Sequence, residues 1–181
     1  MATWKSRGLR GSTLEDLINR ANEKYLENHL CLIQKVPTPI TPIEFDKGSR
    51  TIKLAYFDKK STVDYIGVVQ GIPVCFDAKE CAVDTFTLAN IHEHQVRFME
   101  EYERQGGVSF FLIHYTGRGI FYYLRFAKLY EFWKRWEGGG RRSFRFEEIE
   151  TDFIIDPRPG MPLPYLDALQ TDLDRRSEIP V

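Results

Sequence analysis

Cysteine is scarce in this chain, and the three present, Cys31, Cys75 and Cys81, are odd in number and lack the spacing of a paired framework. That excludes a disulfide-stapled secreted scaffold and points to a reducing compartment. Long apolar runs are missing too. No uninterrupted stretch of about 18 apolar residues occurs, and Met1–Gly11 offers no hydrophobic segment for a signal peptide, so secretion and membrane spanning are not expected. Net charge is nearly absent, at −1 from 25 basic and 26 acidic residues. The chain has no Gly-rich loop ending in Lys-Ser/Thr, no His-Glu-x-x-His, and no nucleophile elbow around Ser109 or Ser143. Nucleotide hydrolysis and serine acyl transfer are therefore poor readings. His92-Glu93-His94 with Cys81 does not make a zinc site, because residues i and i+2 do not share a helix face.

What is present is one domain's worth of chain, 181 residues, long enough to bury a conventional core. The near-zero charge conceals an asymmetry. Residues 147–181 hold nine acids and three bases, so the remaining body carries a net +5 and can meet a polyanion locally, or simply present solvated charge. Leu14, Leu17, Ile18, Ala21 and Tyr25 recur at helical period after Ser12, and Cys31–Val36 reads as a strand stopped by Pro37. Asp46-Lys47-Gly48-Ser49 is a turn signal between Ile43–Phe45 and Thr51–Phe57, which predicts a protruding hairpin over about 37–57. Thr62–Val69 and Ile72–Ala78 flank Gln70-Gly71, the form of a two-residue hairpin. A helix from Leu88 to Gly106, strands 108–115 and 120–126, and an aromatic helix 127–137 follow. The rings of that helix read as core packing, with stacking on bases as the alternative. Beyond the basic cluster Arg141–Arg145, a Pro-rich connector and an acidic last helix occupy about 157–181. The order predicts an α/β fold: a mixed central sheet flanked by helices, with no internal repeat.

The chemistry lies in the Gln70-Gly71 hairpin. If those two residues make the turn, Asp64 stands opposite Asp77 and Thr62 opposite Lys79, all on one face. Opposed carboxylates repel and call for a cation, and carboxylate oxygens with a hydroxyl suit Mg²⁺. The plainer reading is that Asp77 and Lys79 open a loop at a strand end. Gln95 falls on the apolar side of its helix, facing the sheet, where it is either an ordinary buried amide or part of this site. Glu15 has capping-box spacing from Ser12, which explains it structurally, and a catalytic role is the alternative.

Asp64, twelve residues, and Asp77-Ala78-Lys79 resemble the PD-(D/E)xK nuclease core. The chain resembles more narrowly the RecU-type Holliday junction resolvases. Arg10-Gly11-x-Thr13-Leu-Glu-Asp-Leu-Ile-Asn19, Pro37-Thr38-Pro39-Ile40, Ala55-Tyr56-Phe57, Ser61-Thr62-x-Asp64-Tyr65-x-Gly67-Val68, Phe76-x-Ala78-Lys79-Glu80 and His92-x-His94-Gln95 follow that pattern in order. The resemblance implies a restriction-endonuclease-like single nuclease domain over 1–181, with a stalk hairpin around Lys47 that enters the junction. It implies Mg²⁺, replaceable by Mn²⁺, on Thr62, Asp64, Asp77 and Gln95, with Lys79 stabilising the transition state. It also implies a homodimer in the cytoplasm of a bacterium or of a phage's host, acting on four-way junction DNA and not on membranes. Arg10, Lys47, Arg50, Lys53, Arg141 and Arg142 are the candidate phosphate contacts, each equally readable as a solvated cation. The family's usual acid at position 77 is Glu, the Lys79–Gln95 segment is one residue shorter here, and Lys47 stands where arginine is expected. Alternatives are a nuclease for other branched DNA and a non-catalytic DNA-binding recombination accessory protein.

Overall fold

The structure, a computed structural model, describes residues 13–57 and 62–177. Helix α1 (Thr13–Glu27) is amphipathic and buries Leu14, Ile18, Ala21 and Tyr25, the residues whose spacing predicts it. Strands β1 (Cys31–Lys35), β4 (Tyr65–Val69), β5 (Ile72–Cys81), β7 (Val108–Tyr115), β8 (Ile120–Arg125) and β10 (Ile154–Ile155) form a six-stranded sheet in the order β1-β4-β5-β7-β8-β10. Its pairs are antiparallel except β5 with β7, which are parallel and joined by the crossover helix α2 (Glu93–Arg104). The sheet is mixed, with helices on both faces, as the element order predicts.

A row of rings crosses the sheet and fixes its register. Tyr65 stacks on Phe76 at 4.8 Å, Phe76 on Phe110 at 4.7 Å, and Phe110 on Tyr123 at 4.3 Å between centroids. Each such pair contributes about 0.5–1.5 kcal/mol beyond its burial. Tyr165, at the start of α4 (Tyr165–Ser177), closes over Phe76 and Phe110, and Asn19 of α1 accepts a hydrogen bond from Tyr65 at 3.1 Å. The ring face of the sheet therefore lies under α1 and α4. On the other face the Ser109 hydroxyl donates to the Met99 carbonyl of α2 at 3.2 Å. Because strand side chains alternate, the neighbours of the ring row, Asp64 and Asp77, face the α2 side.

The β4–β5 turn is a two-residue turn with positive φ at both Gln70 (48°) and Gly71 (92°), the mirror-image geometry that matches strand twist. Gly67 is also demanded: a Cβ there would lie 2.1 Å from the Leu32 carbonyl oxygen of β1.

Two features differ from the sequence reading. The segment from Leu88 is not one helix: Leu88–Asn90 is a 3₁₀ turn capped by the Thr87 hydroxyl, and α2 begins anew at Glu93 after His92. The extended backbone at Ile91 and His92 separates the two, so a single helical period does not run through Leu88, Ile91 and Gln95. Second, β6 (Thr85–Thr87) and β9 (Ser143–Arg145) pair as a small separate sheet, which turns part of the expected basic cluster into a strand. Strands of three residues leave too short a period to read. The aromatic helix follows its expected use: α3 (Phe126–Glu137) buries Phe126, Phe132 and Trp133, and Phe132 stacks on Phe144 of β9 at 4.4 Å, so these rings fill the core.

The remaining strands, β2 (Ile40–Asp46) and β3 (Thr51–Phe57), pair only with each other and form the expected hairpin as a separate two-stranded ribbon. At the opposite flank, α4 brings Asp172 into the core, where Tyr123 donates to it at 3.1 Å and Arg176 at 3.1 Å, while Arg125 donates to Glu150 at 3.0 Å. A buried carboxylate with this many donors is satisfied in place. Among the described residues, no helix is long and apolar enough to cross a membrane.

Candidate active site

The ladder between β4 and β5 runs from Val69↔Ile72 to Tyr65↔Phe76, the register expected from a Gln70-Gly71 turn. It stops one pair short of Asp64 and Asp77, because Thr62–Asp64 lie in a bend before β4 while β5 continues to Cys81 beside β7. Asp64 is pinned all the same. Its carbonyl accepts from Val36 N at 2.8 Å, and its Oδ2 accepts from Ala78 N at 3.0 Å. The side chain thus reaches the backbone of the strand that carries Asp77 and Lys79.

Asp77 is fully buried. Its Oδ2 accepts from Lys79 Nζ at 2.7 Å and from Gln95 Nε2 at 2.7 Å, whereas its Oδ1 is buried without a hydrogen-bond partner. Burial pushes the Asp77 carboxyl above the usual carboxylate range, the Asp64 carboxyl within hydrogen-bonding reach adds to that, and the Lys79 ammonium opposes it. An orphaned carboxylate oxygen beside a second carboxylate is a poor arrangement for the protein alone and a good one for a divalent cation. Oxygen donors of this kind suit Mg²⁺ rather than a softer metal. Among the described residues there is no group of three or more His, Cys, Asp or Glu side chains that could hold a metal, so the donor set here is two carboxylates with neutral oxygens nearby. Thr62 is half-buried, two residues before Asp64 in the same bend.

Gln95 sits in the first turn of α2, 6% exposed, and its Oε1 accepts from His92 N at 3.1 Å as part of a capping box between the two residues. Thus Gln95 reaches Asp77 from an element 18 positions away. Glu15 is placed otherwise: it pairs with Lys35 of β1 and is partly exposed at the rim. Ser12, its expected capping partner, and Arg10 lie outside the described residues. The N–H of Leu14 donates to Glu80 Oε1 at 3.4 Å, so strand β5 supplies a carboxylate at the start of α1 immediately after Lys79. Sequence reasoning passed over Glu80 and His92 as structural partners of the site, although His92-x-x-Gln95 has capping-box spacing.

The candidate DNA contacts are dispersed. Lys47 and Arg50 are exposed at the ribbon tip, and Lys53 lies 3.7 Å from Asp46. Arg141 pairs with Glu148, and the Arg142 guanidinium lies over Trp136 at 4.3 Å from the ring centroid. The Arg142 carbonyl accepts from Leu88 N at 3.1 Å, which sets this cluster beside the segment leading into α2.

Residues 9–171 match the family described as Recombination protein U, RecU. A Holliday junction resolvase RecU of Limosilactobacillus reuteri is 39% identical over 169 residues, covering 88% of this chain and 81% of that protein. The protein of that name in Lactiplantibacillus plantarum is 39% identical over 181 residues, covering 95% and 86% respectively. That of Listeria monocytogenes is 39% identical over 168 residues, covering 91% and 83%. With similarity spread over nearly the whole length, from α1 through the hairpin and the Asp64–Asp77–Lys79 centre to α4, this chain belongs to the RecU family.

Proposed function

We propose that the chain is a Mg²⁺-dependent endonuclease that resolves four-way DNA junctions by paired nicks. The observation that carries this reading is the buried, unpartnered Oδ1 of Asp77 next to Asp64, with Lys79 on the same carboxylate. Asp64 and Asp77 would hold the ion, with the Thr62 hydroxyl as a neutral oxygen beside them. When bound, Mg²⁺ supplies Lewis-acid stabilisation of charge on the scissile phosphate, and Mn²⁺ can take its place. Lys79, whose side chain is 21% exposed, offsets charge that develops on the phosphate oxygens. Glu15 pairs with Lys35, and both side chains remain partly exposed to solvent.

A nick needs one such centre, and resolution needs two at symmetry-related strands, so the working form is a two-fold homodimer. Light scattering should give about twice 21.2 kDa. The ribbon, with Lys47, Arg50 and Lys53, would enter the junction, while Arg10, Arg141 and Arg142 meet phosphates alongside, in the cytoplasm of a bacterial cell. Incubation with a synthetic junction and Mg²⁺ tests the reading, with plain duplex as control and Asp64→Ala and Lys79→Ala as variants. Junction-selective cleavage lost in both variants is expected; unchanged cleavage in both overturns the site. Equal cutting of duplex by the wild type points to a nuclease of another substrate, and binding without metal-dependent cutting points to an accessory protein.

A further inference from the structure

The basic cluster after α3 holds two adjacent arginines in opposite circumstances. Arg141 is paired with Glu148, a carboxylate that also accepts from Arg135 at 2.7 Å and from the Arg145 backbone N–H at 2.8 Å. Arg142 is exposed and, among the described residues, in no ion pair; its guanidinium lies over the Trp136 ring at 4.3 Å from the centroid. An arginine stacked in this way keeps its charge and its in-plane N–H donors for an anion, and the ring restricts the orientations that binding would otherwise have to fix. Trp136 is itself held. Buried Trp133 meets it edge to face at 5.0 Å, and Gly139 N and Gly140 N donate to the Trp136 and Arg135 carbonyls, each at 2.9 Å. The backbone of Arg142 is held as well, since its carbonyl accepts from Leu88 N at 3.1 Å beside the Thr87↔Ser143 pair. The run from Leu88 to Gln95 therefore links this pair to the centre: one end is bonded to Arg142, the other to Asp77.

We propose that Arg142 is a phosphate clamp for the DNA arm that leaves the active site, with Trp136 as its positioning residue. The inference rests on the DNA-cleaving function proposed above and deepens it. A planar guanidinium matches phosphate oxygens two at a time, which a mobile surface lysine does not. The ligand is the DNA backbone rather than a base, because the guanidinium covers the ring face on which a base would stack. Arg141, whose charge Glu148 already offsets, contributes less.

The test is binding of a fluorescently labelled synthetic four-way junction to the full-length protein in EDTA, where nothing is cut, followed by anisotropy over a range of salt concentrations. Arg142→Ala should make the slope of log affinity against log salt shallower by about one, as loss of a phosphate contact requires, and Arg141→Ala should change it less. Trp136→Leu keeps every charge, so it should weaken binding about two- to fivefold at wild-type slope. In an Arg142→Ala background the same Trp136→Leu change should cost nothing further, a result that a merely structural role of the ring cannot give. Wild-type affinity and slope in Arg142→Ala, or an undiminished Trp136→Leu loss in that background, overturns the clamp and leaves the nuclease reading standing. Equal changes of slope in Arg141→Ala and Arg142→Ala overturn the assignment to the stacked arginine. A wild-type protein that does not bind the junction overturns the nuclease reading and this inference with it.

Discussion

The sheet centre around Asp77 and the β2–β3 ribbon are built on opposite terms. At the centre every neighbour is buried or tethered: rings stack beneath, Asp64 is held by Ala78 and Val36, and Asp77 by Lys79 and Gln95. Along the ribbon no described residue is buried, and Ile43, Phe45, Leu54 and Tyr56 are each more than half exposed. Its tip is held by local bonds, with the Asp46 carboxylate accepting from Gly48 N at 2.9 Å. An isolated two-stranded hairpin is marginally stable in water, so the ribbon's order depends on what it meets, whereas the centre's order comes from the core. Precision and reach are thus assigned to different parts of the molecule.

The sharpest way to break this comparison is at the centre. Asp64→Ala, Asp77→Asn and Lys79→Ala should each lower junction cleavage by at least about 100-fold, measured under single-turnover conditions at a temperature where circular dichroism shows each variant folded. Removing the ribbon tip from Glu44 to Lys53 and rejoining the strands by a short turn should abolish junction cleavage as well. The rest of the chain should still fold, read as unchanged near-ultraviolet circular dichroism; a cooperative loss of structure would mean that the ribbon is part of the core after all.

A smaller effect separates the two regions by pH. With metal chelated, the folded-state pKa of Asp77 lies above its unfolded value of about 3.9. Its protonated form is therefore favoured by folding, and stability should be present below that pH and decline as pH rises through the raised value. Urea denaturation in chelator should show wild type losing stability relative to Asp77→Asn as pH rises, and added Mg²⁺ should reverse the loss. Smallest are the single ribbon cations. Lys47→Ala or Arg50→Ala should weaken junction binding modestly and reduce the slope of log affinity against log salt by about one each.

Much of this was legible in the chain because the signals were local. Gln70-Gly71 between two β-rich runs determined the hairpin and its register, since two-residue loops between strands take the mirror-image turns, which need positive φ, and here both positions have it. The apolar period of α1, the Asp46–Ser49 turn and the spacing of Asp64 from Asp77-Ala78-Lys79 were equally explicit. The break at Ile91, the β6–β9 pair and the Glu15–Lys35 ion pair were decided by tertiary structure. So was the partner of each buried polar atom: Gln95 meets Asp77 across 18 residues, and Glu80 meets the start of α1 across 66. Periodicity reports which side of an element is apolar, but a hydrogen bond between distant elements depends on how those elements dock. Only the packed sheet, with α1 on one face and α2 on the other, determines which donor reaches which carboxylate oxygen.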